Sequence, residues 1–185
     1  MYRGGNFMGA KEQAEEILAT ARKLIGTETE PVKARYPVEY DPIRRYCHST
    51  GDENPLYLDP DYGKKSRFGG TPVPMCGVHL SGGNGIWPPK AETGQGLPPV
   101  PTLGQSAINL TTEWEFLKPV LVGDHLSTSQ KIEDVYIKPI RLDPLAFWRV
   151  TANVYRNSAG EVVAIHRNIG LAHRKPDEVA ADRGD

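Results

Sequence analysis

From Ser106 onward the sequence is written in strand rhythm. SAINLTTEWEFLKPV alternates apolar with polar residues, Val122-Gly123-Asp124 makes a turn, and HLSTSQKIEDVYIK and FWRVTANVYRNSAGEVVAIHRNIGLAHR continue the pattern. A period of two belongs to a strand whose faces meet different surroundings. NSAG splits the last stretch into a hairpin, so four or five antiparallel strands are expected. The first half differs. In AKEQAEEILATARKLIG the residues Ala14, Ile17, Leu18, Ala21, Leu24 and Ile25 recur at helical spacing, and Gly26 is a stop signal. A second helix is expected with Asp41 as N-cap and Pro42 at its first position, closed by Gly51, Asp52 and Pro55. DPDYGKKSRFGG reads as one or two helical turns ending at Gly69-Gly70, and TPVPMCGVHLSGG as the start of a central helix that begins after Pro72 and Pro74. Helices followed by strands predict an α+β fold, with helices packed on one face of an antiparallel sheet and a dimer covering the sheet edge.

A length of 185 residues suits one domain, and 38% hydrophobic with 24% charged residues supplies an ordinary core. A formal charge of -1 excludes the electrostatic footprint of a nucleic-acid binder, though not a local basic patch against a phosphate-bearing small molecule. Cys47 and Cys76 are too few for a disulfide framework or thiolate metal site, and no cluster has metal-ligand spacing, so no metal is expected. With no apolar run of about 18 residues and no secretory h-region, a cytoplasmic protein without membrane spans is expected. Residues 1–10 are expected to be flexible, 11–174 to form the domain, and 175–185 to be a solvated, disordered tail. Within the domain, residues 82–105 form a Gly/Pro-dense loop. It is either a lid or insertion against a partner subunit, or a plain surface excursion.

The stretch TGDENPLY, residues 50–57, sets an aspartate, an amide and a proline after a glycine and ends on a tyrosine. By composition it is also a helix-terminating turn. RYCHSTGDENPLYLDPDYGKKSRFGGTPVPM, EWEFLKPVLVGDHL and YRNSAGEVVAIHRNIGL together resemble the MaoC-like hotdog-fold family of (R)-specific enoyl-CoA hydratases, closest to its FAS1-like dehydratase N-terminal branch. The resemblance runs over roughly residues 30–174. It implies a single hotdog, a long central helix wrapped by the sheet and paired as a dimer, preceded here by an extra N-terminal helix. It also implies a CoA thioester as substrate, with no cofactor. Family members orient water with an aspartate and a histidine spaced as Asp52 and Tyr57 are here. By that correspondence Asp52 is the acid/base carboxylate, Asn54 the amide supporting the loop, and Tyr57 stands where histidine is expected. Gly70 falls near the helix N-terminus whose N–H groups would polarise the thioester carbonyl.

Hydration of an enoyl thioester needs a base for the water proton, an acid at the alpha carbon and donors at the carbonyl oxygen. Imidazole serves either proton role near neutral pH; a phenol with a pKa of about 10 donates and is a poor base. Other histidines offer no obvious replacement: His48 on the second helix, His79 alone on the central helix, His125 in a turn, and His166 and His173 on opposite strand faces. Lys64, Lys65 and Arg67 would meet CoA phosphates, or else form a solvated face. The expected function is one subunit of a heteromeric enoyl-CoA hydratase, shaping the acyl tunnel while a second MaoC-like hotdog supplies the full Asp/His pair. A self-sufficient homodimeric hydratase using Asp52, a non-catalytic acyl-CoA-binding hotdog and a thioesterase are the alternatives.

Overall fold

The computed structural model describes residues 9–81 and 96–183. Helix α1, Ala10–Arg22, buries Ala14 and Ala21, while Leu18 and Leu24 pack with Ala21 on Ile132 and Val135. Gly26 turns the chain at φ 89, where a side chain would be strained. The chain then runs along the sheet, Gly26 N–H donating to Ile132 O at 2.9 Å and Ile132 N–H to Thr27 O at 3.0 Å. Strand β1, Val32–Lys33, follows.

Helix α2, Tyr40–Thr50, starts one residue before the expected cap. Glu39 occupies the N-cap position, so Asp41 lies inside the first turn and its carboxylate instead accepts from Arg44 at 2.7 Å and Arg45 at 2.5 Å. Pro42 is tolerated there because first-turn N–H groups have no intrahelical acceptor. Two short helices follow, α3 over Pro55–Leu58 and α4 over Pro60–Lys65. At the place of the expected long central helix, the described residues hold a 3-10 helix, Met75–Ser81, with Gly77 N–H donating to Pro74 O at 2.7 Å. Pro72, Pro74 and Gly77 are all poor material for an α-helix in so short a span. The continuation of that expectation, and the first part of the 82–105 loop, fall on residues 82–95, outside the described residues. Residues 96–105 are irregular as expected, yet not free: Leu97 and Val100 pack on the α1 cluster, and Gly104 is buried.

The remaining strands are β2 (Ser106–Phe116), β3 (Ser127–Ile137), β4 (Phe147–Arg156) and β5 (Val162–His173). They form one sheet ordered β1-β3-β4-β5-β2, each pair antiparallel. The NSAG hairpin forms between β4 and β5: Asn157 N–H donates to Glu161 O at 3.0 Å, and Gly160 turns at φ 78. Successive strands β2 and β3 lie on either side of β4 and β5, so the link between them crosses one end of the sheet. It bonds there to the first half, Val73 N–H donating to Val120 O and Gly123 N–H to Val38 O, both at 2.8 Å.

Register places Gln130, Asn153, His166 and Trp114 in one row on one sheet face, with Thr128, Tyr155, Ala164 and Phe116 in the next. Against that face α2, the 3-10 helix and the Val73 segment before it bury Ile43, Cys47, Val73 and Val78 beside Leu126, Tyr155 and Val163. Full burial of each large aliphatic side chain stabilises by about 1.5–3 kcal/mol. The outer strand β2 leaves Ile108, Leu110 and Phe116 exposed at the sheet edge.

The C-terminal segment departs from the expected disordered tail. Pro176–Arg183 form helix α5, with Val179 buried. Its start is anchored: Arg174 is held by Asp143 and by Asp182, and Lys175 N–H donates to Glu178 Oε2 at 2.6 Å. A charged composition alone suggested solvation, but the anchoring partner is thirty-one residues away in sequence.

Candidate active site

The Asp52 loop is built by local hydrogen bonds. Gly51 ends α2 in the left-handed region at φ 70, and Asp52 N–H closes the helix by donating to Cys47 O at 2.9 Å. The Asp52 carboxylate then accepts from Asn54 N–H at 3.0 Å, an Asx turn that fixes its own direction. Asn54 caps α3, its Oδ1 accepting from Leu56 N–H at 3.0 Å, with Pro55 at the first helical position. Tyr40 donates its hydroxyl to Leu58 O and so staples α3 to α2. This sets Tyr57, half-buried, against the core beside Leu58 and Trp114.

Asp52 acts electrostatically on two neighbours. The Tyr57 phenol is pushed above its ordinary value by burial, then by the Asp52 charge and by Cys47. The Cys47 thiol is pushed up by burial and then by Asp52. Both therefore stay protonated at neutral pH, and the buried Cys47 is no nucleophile. Among the described residues the Tyr57 hydroxyl has no hydrogen-bond partner, which leaves its proton for a ligand or water. The arrangement offers one acceptor, Asp52, and one donor, Tyr57.

A second polar constellation escaped the sequence reading. His166 stacks on Trp114 with ring centroids 4.3 Å apart and planes 11° apart, and Asn153 Nδ2 lies 3.4 Å from its Nδ1. His79, expected inside the domain or at an interface, is exposed on the 3-10 helix 6.4 Å from the same indole. Tyr155 and Phe116 complete the cluster at 5.9 and 5.5 Å. Burial, and then the charge of His79, lowers the pKa of His166, so its imidazole is neutral at pH 7. The strand alternation put His166 on a face; only pairing with β2 shows that the face carries Trp114. His48 lies on the exposed side of α2, 3.5 Å from Arg44, and His125 is exposed in the β2–β3 link.

The basic residues lie on and just after α4, the helix that follows α3. Lys64 pairs with Asp61 at 3.7 Å, the Arg67 guanidinium lies 4.8 Å from the Phe68 ring centre, and Lys65 is exposed. No hydrogen bond or ion pair among the described residues joins them to Asp52 or Tyr57. Gly70 packs its carbonyl over Gly63 and precedes the 3-10 helix by five residues, rather than standing at its N-terminus. A cavity of about 640 Å³ lies instead over the sheet face bearing Asn153, with Leu97, Val100, Thr102, Gly104 and Gln105 also in its wall. Among the described residues, no cluster of His, Cys, Asp or Glu is arranged to hold a metal, and no helix is long and apolar enough to cross a membrane.

A short-helix layer on an antiparallel sheet, with the Asp52 loop leaving α2, is a hotdog-class arrangement. The chain belongs to the FAS1-like dehydratase family within the MaoC-like hotdogs: the family described as "FAS1-like, dehydratase domain region" matches residues 23–166. A probable enoyl-CoA hydratase alpha subunit from Thermomonospora curvata is 28% identical over 170 residues, which cover 86% of this chain and 51% of that one. This chain thus spans about half the length of that curated relative. In fold it is similar to the ChsH1-ChsH2 complex from Mycobacterium tuberculosis (TM-score 0.64, 19% identity, 90% of this chain and 99% of that chain). It is also similar to a MaoC-like dehydratase from Rhodospirillum rubrum (TM-score 0.55, 21% identity, 82% and 94%).

Proposed function

We propose that this chain is one subunit of a heteromeric enoyl-CoA hydratase, the half without a complete Asp/His pair. The observation that carries the reading is Tyr57. It occupies the position five residues beyond Asp52, its phenol is held protonated, and no hydrogen bond joins Asp52 to a histidine among the described residues. The similarity to a relative described as an alpha subunit, and to a two-component complex, supports a partnered role.

In the reaction, water oxygen bonds to the beta carbon of the 2-enoyl thioester, and a proton is delivered to the alpha carbon. The partner hotdog's Asp/His pair takes the water proton and returns one to carbon. Asp52 accepts a hydrogen bond from substrate or water, and Tyr57 donates one; neither cycles a proton as imidazole does. The acyl portion lies against this chain's sheet. The test is hydration of crotonyl-CoA and longer enoyl-CoAs by the purified chain alone and with any MaoC-like protein encoded beside it. Turnover only with the partner is expected. Full turnover by this chain alone would overturn the reading.

One observation favours a second reading. His166 is neutral, half-buried and in the same packed region as Tyr57 through Trp114. In a self-sufficient homodimer it would supply the missing imidazole, and His166→Gln would then abolish activity of the chain alone.

A further inference from the structure

The cavity over the sheet has the wrong floor for an alkyl chain. Moving along β4 from Asn153, the rows of its face read Thr151 with Asn168, then Arg149 with Gly170 and Asn109, and only then Phe147 with Ala172 and Ala107. At about 3.3 Å per residue, Arg149 lies roughly 13 Å from Asn153 along the strand. An alkyl chain laid over polar groups strips them of water and returns no hydrogen bond. Here Leu97, Val100 and Thr102 line one side, while the middle of the floor is amide, hydroxyl and guanidinium, with Arg149 and Asn109 open to solvent. The side chains of Asn109, Arg149, Thr151 and Asn168 have no hydrogen-bond or ion-pair partner among the described residues. Gly170 deepens the floor between Arg149 and Asn109, and a Cβ there would come within 3.0 Å of Ile108 O.

The geometry points to an acyl group that carries carbonyl or carboxylate oxygen on the portion remote from the thioester, received by Arg149 with Asn109 and Asn168. This rests on the acyl-CoA reading above. The Asn153 end of the cavity adjoins the Trp114 cluster, against which Tyr57 also packs, so the thioester belongs at that end and the oxygenated portion toward Arg149. Unpaired donors in such a site discriminate in both directions. They bond an oxygenated chain and must be desolvated without recompense by an alkyl one.

The experiment is calorimetric titration of the full chain with decanoyl-CoA and with sebacyl-CoA, its counterpart ending in a carboxylate. Sebacyl-CoA is expected to bind roughly tenfold tighter, with the preference lost in Arg149→Met and partly kept in Arg149→Lys. Equal affinities, tighter decanoyl-CoA, or a preference indifferent to Arg149→Met would overturn the inference and leave the acyl-CoA reading standing. Equal weakening of both thioesters by Arg149→Met would overturn it too, since the arginine would then be meeting the CoA they share. Failure of both thioesters to bind, to this chain alone and to the chain with its MaoC-like partner, would remove the inference and the acyl-CoA reading together.

Discussion

Asp143 and Asp52 are both loop aspartates, and the molecule treats them in opposite ways. Asp143 is fully buried and saturated: it accepts from Leu145 N–H at 2.9 Å, from Arg174 N–H at 2.8 Å, and from the Arg174 guanidinium at 2.8 and 3.2 Å. Asp52 is half-exposed and accepts one backbone bond, from its own turn. The first carboxylate has no capacity left for a ligand; the second retains most of its lone pairs. Saturated charge marks structure, and spare acceptor capacity near a protonated phenol is what the proposed role of Asp52 rests on.

The comparison breaks most visibly at the saturated end. Burial alone would raise the Asp143 pKa, but the Arg174 hydrogen bonds, followed by the backbone donors, outweigh it and hold the carboxyl below its ordinary value. Asp143→Ala leaves the 5% exposed Arg174 without its main partner and is expected to cost about 3–5 kcal/mol, measured by urea unfolding. A lowered folded pKa gives stability that is present above the unfolded value of about 3.9 and is lost as pH falls through the folded one. Acid titration of stability should therefore steepen below about pH 4 in the parent chain, and less so in Asp143→Asn.

Next comes Gly104, which seats the 96–105 segment on the same end. A Cβ there would lie 2.0 Å from the His173 carbonyl carbon and 2.3 Å from Arg174 N, backbone atoms that side-chain rotation cannot move aside. Gly104→Ala is expected to cost about 1–3 kcal/mol by thermal melting, with Gly96→Ala, whose added Cβ meets nothing within 4 Å, as the silent control. At the functional end, Asn54→Ala removes the α3 cap and should cost about 1 kcal/mol, while Asn54→Asp, which keeps the acceptor, should cost less.

Sequence legibility divides along the same line. The loop at Asp52 was legible because everything that shapes it is local: Gly51 in the left-handed region, an Asx turn two residues long, and Pro55 after its cap. The NSAG hairpin and the turn at Gly26 were legible for the same reason, although α1 itself ends at Arg22, four residues before that glycine. The Asp143–Arg174 lock and helix α5 were not, since their partners are thirty-one residues apart and α5 buries little beyond Val179. The cap of α2 lies two residues before the expected one, at Glu39, because Asp41 has a competing use, binding Arg44 and Arg45. The Trp114–His166 stack and the polar cavity floor needed the β2–β5 and β4–β5 registers, with an irregularity at Asn109/Thr111 that alternation does not reveal.

The smallest expected effect is the most informative about function. If this chain is the accessory half, Asp52→Asn in the assembled enzyme removes one charged acceptor while the partner's Asp/His pair still moves both protons. Turnover should then fall less than about tenfold, against the 10²–10⁴-fold expected for loss of a working general base. Tyr57→Phe should be equally mild, since it removes a donor and keeps the ring that packs on the core. Neither variant should shift unfolding by more than about 0.5 kcal/mol, because Asp52 is not part of a buried network. A 10²-fold or larger loss in Asp52→Asn, at unchanged stability, would mean that the spare capacity of this carboxylate is catalytic after all. The contrast with Asp143 would then be between a structural charge and a working one.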